Sequence, residues 1–68
     1  MLIKLTNTKD EKILIGTESI IGAEPFILKP QAGGEVYCTR IRSRGAMVET
    51  FYVHESVDQI YKLVNQSS

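Results

Sequence analysis

The sequence predicts a small α+β domain: an antiparallel sheet of about five strands, made of two hairpins and an irregular middle strand, with one C-terminal helix. Three observations predict it. Short stretches of β-branched, aliphatic and aromatic residues recur between residues 2 and 53, separated by clusters of turn-forming residues. Glycine and proline interrupt them at intervals suited to strand ends and bends. After His54 the spacing of apolar residues changes to a helical one, behind a helix start signal.

The first 28 residues hold the N-terminal hairpin and the irregular strand. Leu2-Ile3-Lys4-Leu5-Thr6 and Lys12-Ile13-Leu14-Ile15 flank Asn7-Thr8-Lys9-Asp10-Glu11, a polar turn cluster, and Gly16 ends the pair. Thr17-Glu18-Ser19 fits a single helical or 3₁₀ turn. Ile20 to Leu28 reads as one strand bulged or bent near Gly22 or Pro25, because proline has no amide to donate and forces Glu24 to be extended. Residues 29–35, Lys29-Pro30-Gln31-Ala32-Gly33-Gly34-Glu35, form a Gly-rich loop, read as a connector between strands with a lid as the alternative.

Val36 to Val53 is the longest strand-forming stretch and carries every arginine of the chain: Arg40, Arg42 and Arg44. It reads as a long hairpin. With Arg44-Gly45 as a two-residue turn, Ser43 faces Ala46, Arg42 faces Met47, Ile41 faces Val48 and Arg40 faces Glu49. Thr39 then faces Thr50, Cys38 faces Phe51, Tyr37 faces Tyr52 and Val36 faces Val53. This register matches opposite charges, two threonines, two aromatics and two valines. Arginine suits a primed turn poorly, so a loop of three or four residues around Ser43 to Ala46 stays open. The helix is expected over residues 56–65, with Ser56 as N-cap, Gln59 completing a capping box and Asp58 in the first turn. Val57, Ile60, Tyr61 and Val64 give its apolar stripe, and the tail from Asn65 to Ser68 is expected to fray.

Sixty-eight residues make a single domain with a small core. One cysteine and one histidine leave no internal disulfide and too few ligands for a structural zinc, so oligomerisation is the expected reinforcement and no cofactor or metal is expected. Eight basic and eight acidic side chains balance, which argues against gripping extended nucleic acid through many phosphates. No signal peptide, membrane-spanning run or basic amphipathic helix is visible, so the chain is expected in the cytoplasm, of a bacterium or an infected host cell, without a membrane partner.

Ile3-Lys4-Leu5-Thr6, the corner Thr17-Glu18-Ser19-Ile20, and Tyr52-Val53-His54-Glu55-Ser56-Val57-Asp58-Gln59-Ile60 resemble the small FlbD-like bacterial proteins associated with flagellar motility. There a strand ending in valine runs through a Glu-Ser pair into a short C-terminal helix. The similarity covers the first third and the last quarter of the chain, and implies a protein-interaction module in motility or regulation. The chain departs from that pattern in an extra Phe26 to Gly34 segment, a longer central hairpin, and Ser43-Arg44-Gly45 in place of a short Asn-Gly turn. The Met1-Leu2-Ile3 start and the His54 region are also similar to the carbon storage regulator, a small RNA-binding dimer, whose RNA-binding residues find no counterpart here.

The chemistry of the long hairpin points elsewhere. Arg40 and Arg42 share a strand face by period two and Arg44 sits at the tip, so three guanidiniums are available for bidentate recognition of phosphate or carboxylate. Tyr37 and Tyr52 offer stacking surfaces beside the Thr39 and Thr50 hydroxyls. The competing reading is a solvated edge strand with Arg40 neutralised by Glu49. His54 beside Glu55, and the mid-strand Cys38, lack the surroundings of a catalytic pair, so no enzyme activity is expected. The expectation is a non-enzymatic homo-oligomer that senses or sequesters a small anionic ligand such as a nucleotide or cyclic nucleotide, in the manner of a phage anti-defence sponge. An FlbD-like interaction module and a small RNA-binding regulator are the alternatives.

Overall fold

The computed structural model describes residues 1–45 and 47–66. The expected Ser43–Ala46 pair and the last two residues of the expected tail involve positions outside that set. The elements are β1 (Leu2–Thr6), β2 (Lys12–Gly16), a 3₁₀ turn (Thr17–Ser19), β3 (Ile20–Leu28), β4 (Val36–Ser43), β5 (Glu49–Val53) and α1 (Val57–Gln66). The α+β class, the five antiparallel strands and the C-terminal helix are therefore as the sequence predicts. The strands divide between two sheets, β1-β2 and β3-β4-β5.

In the N-terminal hairpin Ile3 stands opposite Ile15 and Leu5 opposite Ile13, so alternation turns one aliphatic set inward and leaves Leu2, Lys4 and Leu14 outside. Asn7 closes its turn, with Oδ1 accepting from the amides of Lys9 (2.9 Å) and Glu11 (3.0 Å). The end of β1 also touches the larger sheet: Asn7 bridges Val53, Thr8 N donates to Tyr52 O (3.2 Å) and His54 N donates to Thr6 O (2.8 Å). Ile3, Leu5, Ile15, Ile41, Val53 and Ile60 form one buried cluster shared by both sheets and the helix.

β3 carries its bulge between Ile20 and Gly22, one of the two places expected. The helix opens on the predicted capping box: Gln59 N donates to Ser56 Oγ (3.1 Å) and Ser56 N to Gln59 Oε1 (2.8 Å). Its apolar stripe differs from the prediction. Ile60 is buried and Leu63 and Val64 pack on the core, whereas Tyr61 is 69% exposed.

The register of the long hairpin also differs. Thr39 pairs with Val53, Arg40 with Tyr52, Ile41 with Phe51, Arg42 with Thr50 and Ser43 with Glu49, a slip of three residues from the predicted pairing. β4 ends at Ser43 and β5 begins at Glu49, and of the residues between them Met47 and Val48 are exposed. Burial explains the slip. The predicted pairing puts Val53 on the face of Arg40 and Arg42, away from Ile41. The observed one puts Ile41 and Val53 on one inward face, both at 0% exposure. Fully burying such side chains is worth about 1.5–3 kcal/mol each. A matched cross-strand pair is worth roughly 0.2–1 kcal/mol.

Candidate functional site

With Ile41 and Val53 turned inward, alternation turns Arg40, Arg42, Thr50 and Tyr52 to the opposite, outer face of the three-stranded sheet. β3 contributes Glu24, opposite Arg40, and Phe26, opposite Cys38. The site is thus assembled from three strands, with β4 in the middle.

Its centre is one carboxylate oxygen. Glu24 Oε1 accepts from Arg40 Nε (3.1 Å), Arg40 Nη2 (2.7 Å) and Arg42 Nη2 (2.9 Å). Arg40, not faced by Glu49 as predicted, is held by Glu24. Its guanidinium carbon also lies 4.9 Å from the centre of the Phe26 ring, a cation–π contact. The Phe26 and Tyr52 rings stand 5.3 Å apart and tilted by 44°. The three charged side chains remain open to solvent, at 32% for Arg40, 55% for Arg42 and 39% for Glu24. The hydrogen bond from Arg40 holds the Glu24 carboxyl below the usual carboxylate range, and Glu24 in turn raises the Arg40 guanidinium. Two guanidiniums and one carboxylate leave the cluster with a single net positive charge.

The sequence-predicted residues separate by face. Arg40, Arg42, Tyr52 and Thr50 come together on the outer face. Arg44 lies past the end of β4, where its backbone amide donates to Ser19 O (2.6 Å). Tyr37 and Thr39 belong to the other face. Thr39 is buried, its hydroxyl donating to Glu55 O (2.6 Å), and Tyr37 is exposed with its hydroxyl on Glu35 Oε2 (3.0 Å). Tyr37 and Tyr52 therefore do not face each other across the hairpin as expected, since Tyr52 pairs with Arg40. Glu24 and Phe26 were not foreseen, although their alternation about Pro25 places them on one face of a strand next in order to β4.

Elsewhere, His54 Nε2 lies 3.3 Å from Asp10 Oδ1, and the neighbouring Glu55 carboxylate instead accepts from Thr6 N (2.8 Å). Burial pushes the Cys38 thiol up. Open clefts of about 510 Å³, between Tyr37, Thr39, His54 and Val57, and about 420 Å³, along Pro25, Ile27 and Tyr37, flank the start of β4. A third of about 320 Å³ lies by Leu28, Pro30 and Val36. The arginines line none of these. Among the described residues no group of three or more His, Cys, Asp or Glu side chains is placed to hold a metal ion, and no helix is long and apolar enough to cross a membrane.

No family model, curated protein or solved structure matches this chain.

Proposed function

We propose that the chain is a non-enzymatic binding protein whose outer sheet face takes a small anionic ligand with a flat ring system, a nucleotide or cyclic nucleotide that it senses or sequesters. One observation carries the reading: two guanidiniums converge on a single oxyanion, the Glu24 carboxylate, beside an aromatic pair. Glu24 occupies the position a phosphate oxygen would take, and shows that Arg40 and Arg42 reach one acceptor together. The ring of Tyr52 supplies a surface on which a base can stack next to that point.

Isothermal titration against a panel of nucleotides and cyclic nucleotides tests the proposal. Binding of at least one member is expected, weakened by Arg40→Ala and by Arg42→Ala. Glu24→Gln removes the internal competitor and is expected to strengthen it. Absence of heat with every member of the panel, in the wild type and in Glu24→Gln alike, would sink the proposal and leave a protein-interaction role of the FlbD-like kind.

A further inference from the structure

β4 is longer than its partner on one side. β5 pairs with it from Thr39 to Ser43, and Val36, Tyr37 and Cys38 pair with β3 alone. The direction of their free backbone groups follows from the hydrogen bonds of β5. Tyr52 O accepts from Thr8 N and His54 N donates to Thr6 O, so Tyr52 and His54 turn their backbone groups to β1. By alternation Val53 faces β4 and Thr39 faces β5. Tyr37, two residues from Thr39, turns its N–H and C=O to that same side, where β5 has already ended. The 510 Å³ cleft opens there, between Tyr37 and the entry to α1.

This stretch lacks the devices that guard the other strand edges. β3 has Pro25 on its free side, and β2 is five residues long and opens on Lys12. Val36-Tyr37-Cys38 has no proline, no charge and no bulge. On the same face, the cross-strand neighbours Ile27 and Tyr37 are 43% and 71% exposed.

We propose that this edge docks a second copy of the chain, β4 against β4 and antiparallel, about a two-fold axis at Tyr37. An antiparallel partner strand offers a donor and an acceptor to one residue at once, and in a two-fold pair Tyr37 meets both in the partner's Tyr37. The pairing is self-complementary in side chains too, since Ile27 and Tyr37 of the two copies form one continuous apolar row. A second copy fits better than an unrelated strand because the buried cluster of six side chains among the described residues is thin for a free-standing domain, and the row adds to it symmetrically. The inference specifies the self-association expected from the sequence and is separate from the anion site on the outer face.

Sedimentation velocity over a concentration series, without ligand, tests it. A concentration-dependent dimer is expected. Tyr37→Lys places like charges opposite each other across the axis and is expected to raise the dissociation constant by about tenfold or more. Arg40→Ala is expected to leave the dimer unchanged. In a Cys38→Ser background, Tyr37→Cys is expected to give a disulfide-linked dimer on oxidation, with circular dichroism confirming that each variant is folded. A monomer at every concentration, or a dimer indifferent to Tyr37→Lys and not trapped by Tyr37→Cys, overturns the proposal.

Discussion

The inward face of the N-terminal hairpin can be tested with one residue type used twice. Leu5 and Leu14 lie on adjacent paired strands, Leu5 at 0% and Leu14 at 61% exposure. Leu5→Ala removes three carbons from a sealed site, about 2.4 kcal/mol at roughly 0.8 kcal/mol per methylene. The cavity left behind brings the cost to about 2.7–5 kcal/mol. A domain of 68 residues holds about 3–10 kcal/mol in all. Leu5→Ala is therefore expected to remove at least a quarter of the stability and to lower the melting midpoint by more than about 10 °C. Leu14→Ala is expected to change stability by no more than about 0.5 kcal/mol. Urea unfolding followed by circular dichroism at one fixed protein concentration measures both, the fixed concentration keeping any self-association constant. Equal losses for the two substitutions, or a larger one for Leu14→Ala, would refute the assignment of faces and with it the shared core.

Thr39→Val keeps the shape of a buried side chain but leaves the Glu55 carbonyl without its 2.6 Å donor, so a loss of about 1 kcal/mol is expected in the same urea assay. The Glu24 carboxyl, held down first by the hydrogen bond from Arg40, should titrate in a carbon-detected NMR experiment below the usual carboxylate range, and return upward in Arg40→Ala. The sign for stability follows: a carboxyl depressed by folding contributes fully above its unfolded value of about 4.3, and that contribution is lost as pH falls through the lower folded value. Cys38, buried and with its thiol pushed up, should react slowly with a disulfide reagent in native buffer; a rate that rises with urea in step with unfolding confirms this, and fast native reaction contradicts it.

Local chemistry was legible wherever it is decided within a few residues. The capping box at Ser56 and Gln59, the helical or 3₁₀ corner at Thr17–Ser19 and the bulge, at Gly22 rather than the alternative Pro25, each depend on neighbours in the chain, and each falls where the sequence offered it. The pairing of β4 with β5 was not, because it depends on which face the rest of the molecule covers. The four attractive matches of the predicted register concern the hairpin alone. Ile41 and Val53 must share a face with Leu5 and Ile60, which come from distant parts of the chain. Tyr61 was misread for a related reason: its spacing fits the stripe as well as that of Leu63, and only the direction from which the sheet approaches decides between them.

The three-residue slip also changes which side chains the outer face brings together. An odd slip moves every side chain of β5 to the other face relative to β4, so Tyr52 leaves Tyr37 and joins Arg40. The remaining parts, Glu24 and Phe26, come from β3. Glu24 then sets a threshold for any ligand. Tethered on the neighbouring strand, it competes at a high effective concentration, so a free carboxylate that offers no more than Glu24 does will not displace it. On the proposed reading, a successful ligand has to add something the glutamate lacks, either a second negative charge, which a phosphate can carry and a carboxylate cannot, or a base stacked on Tyr52, worth about 1–3 kcal/mol. A nucleotide carries both. Simple carboxylates such as acetate are therefore expected to bind detectably to Glu24→Gln before they bind to the wild type, while a nucleotide ligand registers with both.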